Sequence, residues 1–81
     1  MKVSNSKMET AETKTIEVVV NGQPKRVPEG LNVSGLLRFL GVDASRVAVE
    51  LNRAIVRKAE WESIPIDDRA QVEIVWFVGG G

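Results

Sequence analysis

One segment of the chain has the spacing of an amphipathic helix, and it stands between segments that alternate like β-strands. The apolar stripe in this segment consists of Val33, Leu36, Leu37 and Leu40. Their spacing of three and four positions places them on one face of a helix. Asn32 is suited to cap its first turn, and Gly41 to end it in a left-handed conformation. With 81 residues, a single helix must cover one face of a single sheet, which predicts a one-domain α+β protein of two layers.

The strands are indicated by alternation and by turn residues. Residues 15–20 have a period of two, and Asn21-Gly22 then supplies the pair that a type I′ hairpin turn prefers, because both central positions need positive φ. Residues 23–27 return as a second strand, and Pro24 predicts that it lies at an edge because proline has no backbone N–H. Three further strands are predicted at residues 46–52, 54–57 and 71–78.

The resulting order is β-β-α-β-β-β. The first and last strands are rich in valine, so they are predicted at the centre of a mixed sheet of four or five strands packed on the helix. This is the β-grasp architecture of ubiquitin-like proteins. Residues 58–70 are predicted to be an irregular connection that Trp61 and Ile64 anchor to the core, with a turn at Asp67-Asp68.

The two ends of the chain differ from the domain between them. Residues 1–14 are rich in Ser, Thr, Lys and Glu without a hydrophobic period, which predicts a disordered leader. An added extension, or a second internal start at Met8, explains that segment equally well. Residues 15–78 form the predicted domain, and residues 79–81 a flexible reactive tail.

The residue types that are absent restrict the function. The chain has no Cys and no His, which excludes thiol nucleophiles, disulfides, imidazole catalysis and the common zinc sites. Lys+Arg and Asp+Glu are 11 each, so no basic face is forced and nucleic acid is disfavoured as a partner. No apolar run reaches the ~20 residues that span a bilayer. The sequence therefore predicts a cytoplasmic protein that is not an enzyme on its own and holds no metal.

The chain ends on three glycines directly after an apolar strand. An α-carboxyl group has a pKa of about 3.3–3.7, so it is ionised at neutral pH and must be activated, most simply as an acyl-adenylate, before a nucleophile attacks it. Glycines lack Cβ, so a narrow channel can close around them. We therefore predict that Gly81 reacts and that a side chain at Gly80 would obstruct its entry. A frayed terminus, or an artificial run of glycines, is the alternative.

Strand parity predicts a docking patch beside this tail. If Val72, Ile74 and Trp76 face the helix, then Gln71, Glu73, Val75 and Phe77 face solvent. An exposed apolar pair next to a reactive tail indicates a partner-binding surface, which Ala48 on the neighbouring strand would extend. Alternatively, the irregular connection covers this face, or the parity slips near Trp76.

Several segments together resemble the ThiS family of thiamine-biosynthesis sulfur carriers. The resemblance covers about residues 15–81. The segments that carry it are Val47-Ala48-Val49-Glu50-Leu51-Asn52, Ile55-Val56-Arg57-Lys58 with Trp61, Val72-Glu73-Ile74-Val75, and Phe77-Val78-Gly79-Gly80-Gly81. Family members usually begin near the first strand, so the leader is a departure from the family.

The resemblance implies a cycle and a set of partners. A ubiquitin-activating-type adenylyltransferase would use ATP and magnesium to adenylate the Gly81 carboxylate. A persulfide from a cysteine desulfurase would convert it to a thiocarboxylate, and thiazole synthase would take the sulfur. No cofactor is implied as permanently bound. Gly81 would be the acceptor, Gly80 its required neighbour, and Val78 and Gly79 the rest of the threaded segment.

Other functions compete with this interpretation. The small subunit of molybdopterin synthase has the same fold and carrier chemistry, but usually a proline before its final glycines, where this chain has Trp76-Phe77-Val78. A modifier conjugated to lysines, or a β-grasp interaction module with an idle tail, are further alternatives. An independent enzyme is the weakest, because the Asp67-Asp68 pair has no companion ligands.

Two side-chain groups have open interpretations. Trp61 and Trp76 are predicted to pack in the core or an interface, because no basic cluster accompanies them as nucleic-acid stacking would require. Arg53, Arg57 and Lys58 form a local basic stretch. It is either a solvated strand edge or a contact for an acidic patch on a partner.

Overall fold

The computed structural model describes residues 14–78, which form five strands and one helix. The elements are β1 (Thr15–Val20), β2 (Gln23–Pro28), α1 (Val33–Leu40), β3 (Val47–Leu51), β4 (Ala54–Val56) and β5 (Gln71–Trp76), with single 3₁₀ turns at Ala44–Arg46 and Lys58–Glu60. This order confirms the predicted one. The predicted reactive tail, and the predicted leader except for Lys14, lie outside the described residues.

The five strands form one mixed sheet in the order β2-β1-β5-β3-β4. β1 and β5 are parallel, and the other neighbouring pairs are antiparallel. The two valine-rich strands are therefore adjacent, with β5 in the middle, as predicted. The strand with Pro24 lies at the edge, also as predicted. One helix on such a sheet is the expected α+β, ubiquitin-like β-grasp fold.

The first hairpin turns as the sequence predicts. Asn21 has φ 51° and Gly22 has φ 81°, the two positive values that a type I′ turn requires. The Asn21 side chain also reaches the central strand, where its Oδ1 accepts from the Ile74 N–H at 2.7 Å and its Nδ2 donates to the Ile74 carbonyl at 3.2 Å. The turn therefore joins the edge hairpin to β5.

Helix α1 begins and ends at the predicted caps. The Asn32 Oδ1 accepts from the Gly35 N–H at 2.7 Å, and Gly41 is left-handed with its N–H directed at the Arg38 and Leu37 carbonyls. Val33, Leu36 and Leu37 are fully buried against the sheet. Burial of each such side chain stabilises the fold by about 1.5–3 kcal/mol, which offsets the poor helix propensity of Gly35.

The connection after β4 is anchored more firmly than predicted. Trp61 is buried, and its indole Nε1 donates to the Val56 carbonyl at 2.9 Å. Ile64 is only partly buried, whereas Ile66 and Ala70 are buried although the sequence analysis did not select them. The turn that leads into β5 is the predicted one, closed by the Ala70 N–H and the Asp67 carbonyl at 3.1 Å.

Five strand ends differ from the prediction by one or two residues, and the two that bear on the tail end are the start of β3 and the end of β5. β3 begins at Val47 because residue 46 belongs to a 3₁₀ turn. β5 ends at Trp76 and not at residue 78, because its neighbour β3 begins opposite Trp76. One further hydrogen bond, from the Phe77 N–H to the Arg46 carbonyl at 2.9 Å, extends the attachment by a single residue.

Candidate functional site

The C-terminal end of the central strand is the candidate site, because the glycine tail follows it in the chain. Trp76 is paired with Val47, and the backbone of Phe77 is bonded to Arg46. The sheet therefore holds the chain as far as Phe77. Residues 79–81, with the predicted acceptor Gly81 and its neighbours Gly80 and Gly79, lie outside the described residues.

The sheet face that α1 does not cover presents apolar side chains at this end. Val75 is 55% exposed and Phe77 is 60% exposed, and Val78 beyond them is 93% exposed. The exposed Ala48 lies directly opposite Val75 on β3. We call Ala48, Val75 and Phe77 the outer patch. Its exposure removes the alternative that the irregular connection covers this face, while its role in binding a partner stays a prediction.

Trp76 does not follow the predicted burial. It has the parity of Val72 and Ile74, which are buried on the helix side, but it is itself 49% exposed. The eight residues of α1 make a helix of about 12 Å, whereas the six residues of β5 extend over about 20 Å. Trp76 lies beyond the part of the sheet that the helix covers.

A groove opens where the helix ends. Its volume is about 420 Å³, and we call it the helix-side groove. The side chains that line it are Val20, Asn21, Gln23, Lys25, Leu40, Val42, Ile74 and Trp76. One wall of the groove is polar, formed by Asn21, Gln23 and Lys25, but with Trp76 in the groove and the outer patch on the other side, apolar side chains are exposed on both faces of the sheet at the strand end. The sequence contained a signal for this in the four consecutive apolar residues 75–78, since alternation sends successive side chains to opposite faces.

A short 3₁₀ turn positions the last attached residue. The Asp43 carboxylate accepts from the Ser45 hydroxyl at 2.7 Å and from the Ser45 N–H at 3.0 Å. These bonds, with a smaller contribution from the positive charge of Arg46, lower the pKa of Asp43. The turn presents the Arg46 carbonyl that accepts from Phe77, so Asp43 acts on the site by holding the turn.

Negative charge borders the outer patch toward the start of the strand. Glu50 on β3 lies directly opposite Glu73 on β5, and Ile55 on β4 is opposite Glu50. Like charges opposite each other disfavour strand pairing by a fraction of a kcal/mol up to about 1 kcal/mol. The exposed Ile55, which the sequence analysis did not select, extends the apolar surface past this acidic pair.

The predicted basic stretch is divided by β4, since Arg53 precedes this strand and Arg57 and Lys58 follow it. The Lys58 Nζ lies 5.8 Å above the centre of the Trp61 ring, a cation–π arrangement. Arg53 lies instead in the turn between β3 and β4, where it lines a hollow with Arg69. Three residues of this region have positive φ, namely Asn52 at 52°, Arg53 at 72° and Arg69 at 69°. Left-handed backbone costs an arginine about 1–2 kcal/mol.

Two types of site are not found within residues 14–78. No group of three or more His, Cys, Asp or Glu in that range is placed to hold a metal ion, so the carboxylates of the Asp67-Asp68 turn have no companions there. No helix in the same range is long and apolar enough to cross a membrane.

Comparison with protein families finds a match over most of the chain. The model of the ThiS family matches residues 7–81. The crystal structure of the thiamine biosynthesis protein (ThiS) from Geobacter metallireducens is similar, with a TM-score of 0.73 and 38% identity over 82% of this chain and all of that one. The NMR structure of a thiamine biosynthesis protein from Geobacter metallireducens has a TM-score of 0.69 and 36% identity, over 82% of this chain and 88% of that one.

The sequence relatives include long proteins, of which this chain matches one segment, and short proteins that it matches over almost their whole length. A thiazole synthase from Paramagnetospirillum magneticum is 39% identical over 66 residues, which are 82% of this chain and 20% of that protein. A thiazole synthase from Magnetococcus marinus is 35% identical over the same shares. This chain therefore spans about a fifth of the length of those two relatives. An uncharacterised protein, ycf40, of Porphyra purpurea is 35% identical over 84% of this chain and 96% of its own length.

Proposed function

The chain belongs to the ThiS family, and on that premise we propose that it carries sulfur on its C-terminus for the thiazole of thiamine. The observation that carries the proposal is the position of the last three glycines. They lie within the family match, which runs to residue 81. They also follow the end of the central strand of a β-grasp sheet, where the outer patch is exposed. The predicted carboxylate chemistry and the predicted docking surface are therefore next to each other in the chain.

The proposed chemistry takes place at the Gly81 carbonyl carbon. The carboxylate attacks the α-phosphorus of ATP on an adenylyltransferase, and pyrophosphate leaves. The terminal sulfur of a persulfide then attacks the acyl-adenylate and displaces AMP. A partner thiol cleaves the resulting S–S bond, which leaves a thiocarboxylate on Gly81 and a disulfide on the partner. The chain itself has no cysteine, so every thiol that takes part in these reaction steps belongs to a partner.

The outer patch is proposed to supply part of the free energy for threading the tail. Ordering three glycines costs about 3–6 kcal/mol at about 1–2 kcal/mol per residue. Burial of one Phe or Val side chain contributes about 1.5–3 kcal/mol, and Val75 and Phe77 are both more than half exposed. Since only 55% of Val75 and 60% of Phe77 remain to be covered, burial of this pair contributes about 2–3.5 kcal/mol and offsets part of that cost. The sheet holds the chain as far as Phe77, so only the residues after it have to be ordered.

Thiazole synthase is the proposed sulfur acceptor. Two relatives named thiazole synthase contain a segment like this chain within a protein about five times as long. A carrier segment joined covalently to a synthase would act at a high effective concentration. We propose that a chain of this family that is not joined to a synthase serves the same reaction by binding to the synthase non-covalently. The family match and both solved neighbours also favour the thiamine branch over the molybdopterin branch.

Intact mass measurement tests the proposal. The chain is incubated with ATP, magnesium, the cognate adenylyltransferase, a cysteine desulfurase and cysteine, and a mass gain equal to sulfur minus oxygen is expected. Deletion of Gly81 is expected to abolish the gain. Addition of thiazole synthase and its other substrates should then return the original mass. No gain with an enzyme mixture that converts another carrier of this family would contradict the proposal.

A further inference from the structure

Two arginines that are 16 positions apart in the sequence lie together at the other end of β5. Arg53 and Arg69 line an open hollow of about 270 Å³, and the remaining walls are Asn52 and Gln71. We call it the arginine hollow. It lies at the first residue of β5, and the five steps from Gln71 to Trp76 place it about 17 Å from the end that precedes the tail.

Backbone hydrogen bonds hold the walls of the arginine hollow in place. The Asn52 N–H donates to the Gln71 carbonyl at 2.7 Å, and the Asn52 Oδ1 accepts from the Gln71 N–H at 2.9 Å. The Arg69 N–H donates to the Glu17 carbonyl at 2.6 Å. The two arginines therefore project from a rigid part of the sheet while their side chains remain exposed.

The backbone of both arginines is strained. Arg53 is the second central residue of a two-residue hairpin turn in which both φ values are positive, and Arg69 is left-handed as well. The first hairpin of the same chain has glycine at the equivalent position, Gly22. Glycine would suit both arginine positions without strain. Exposed arginines gain little packing there, and strain of this kind is concentrated at functional sites.

The charge in the arginine hollow is not neutralised locally. The Arg69 Nε lies 4.0 Å from the Asp68 Oδ2, at the limit of an ion pair, and the other Asp68 oxygen already accepts from the Glu17 N–H at 3.0 Å. Arg53 forms no ion pair with a carboxylate within residues 14–78. Two guanidinium groups therefore face one weakly placed carboxylate, in a chain whose net charge is zero.

We propose that the arginine hollow is an electrostatic docking point for an acidic segment of the protein partner that adenylates the tail. This inference rests on the proposed function, because that partner has to hold the domain while the tail, which leaves the opposite end of β5, enters its activating site. The hollow is open and polar, which suits carboxylates on a protein surface that guanidinium groups bind in a bidentate manner. Exposed charges of this kind raise the association rate and set its salt dependence.

The association rate with the cognate adenylyltransferase tests this docking, measured without ATP between about 0.05 and 0.5 M salt. The double variant Arg53→Gly/Arg69→Gly is expected to associate about tenfold more slowly than the wild type at low salt, and the two rates should converge at high salt. Arg38→Gln removes an exposed arginine on α1 and should retain the wild-type salt dependence. Equal salt dependence in the double variant and the wild type would overturn the inference.

Two further measurements keep the test decisive. The double variant should melt about 4–8 °C above the wild type, because glycine relieves the strain. A lower melting temperature would show that the arginines are structural and would overturn the inference. If millimolar inorganic phosphate shifts the amide signals of residues 52–53 and 69, the arginine hollow is a site for a small anion. That result would overturn the inference that it binds a protein partner. The wild-type mass measurement tests the proposed function separately, because binding without ATP requires no turnover.

Discussion

The two ends of the central strand differ in side-chain chemistry and in backbone strain. Its C-terminal end presents exposed apolar side chains, Val75 and Phe77 on one face and Trp76 on the other. Its N-terminal end presents the two left-handed arginines of the arginine hollow. Apolar contacts at the centre of an interface supply most of its affinity, whereas exposed charges act on the association rate. The two proposals together assign the affinity for a partner to one end of the strand and the rate of association to the other.

The largest expected effect is at the tail. Gly80→Val places a branched side chain in the segment that must enter the activating site, and we expect the rate of thiocarboxylate formation to fall by a factor of about 100 or more. The stability of the domain should not change, since the substitution lies beyond the last residue that the sheet holds. Rates are obtained by intact mass against time. Unchanged kinetics would show that the activating site does not enclose the glycines.

The second effect compares two exposed apolar residues on the same sheet face. Phe77→Ala in the outer patch should weaken partner binding about 10- to 30-fold, because a buried aromatic anchor contributes about 1.4–2 kcal/mol or more. Ile55→Ala is the matched control, since Ile55 is also exposed but lies two strands from β5. Titration calorimetry measures both affinities. Equal losses would show that the whole outer face binds, and not its tail end.

The third effect compares the same position in the two hairpin turns. Arg53→Gly should stabilise the protein by about 0.5–1 kcal/mol, because glycine accepts positive φ without strain. Gly22→Ala should destabilise it by about 1 kcal/mol. A Cβ at Gly22 would meet no atom within 4 Å, so its cost is conformational and not steric. Urea unfolding measures both changes, and a loss of stability in Arg53→Gly would show that the Arg53 side chain has a packing role.

The smallest effect is a pH dependence at the tail end. The pKa of Asp43 is lowered from its ordinary value of 3.8 by the hydrogen bonds from Ser45. A lowered folded-state pKa means that the stabilisation is present above 3.8 and is lost as the pH falls through the folded value. Asp43→Asn should therefore melt slightly below the wild type at about pH 7, and the difference should shrink at about pH 2.5. A constant difference would assign the effect to the turn geometry and not to the charge.

Much of the fold follows from preferences between neighbours in the chain. The positive φ values of Asn21-Gly22, the caps of α1 and the alternation of β1 and β5 were all predicted, because each depends on residues within a few positions. The central position of the two valine-rich strands was also predicted, since strands rich in apolar residues favour the centre of a sheet. The exposure of Val75 and Phe77 followed from the same alternation.

The features that the sequence analysis predicted wrongly or did not predict all depend on contacts between distant elements. Trp76 has the parity of a core residue, yet it is half-exposed because α1 does not extend far enough to cover it. The end of β5 depends on where β3 begins. The burial of Ile66 and Ala70 depends on the path of the irregular connection. The pairing of Arg53 with Arg69 requires two turns to meet at one end of the sheet.

The sequence by itself determined the order of the elements, their turns and caps, and the helix and strand faces, and it contains the glycine tail, whose carboxylate chemistry stays a prediction. Backbone dihedral preferences and side-chain periodicity are local properties, so they are legible in the order of residues. Only the tertiary structure decided that Trp76 is half-exposed at the tail end and that Arg53 and Arg69 share the hollow. Solvent exposure and the proximity of charges depend on where another element begins, ends or folds back, and no short stretch of sequence contains that information.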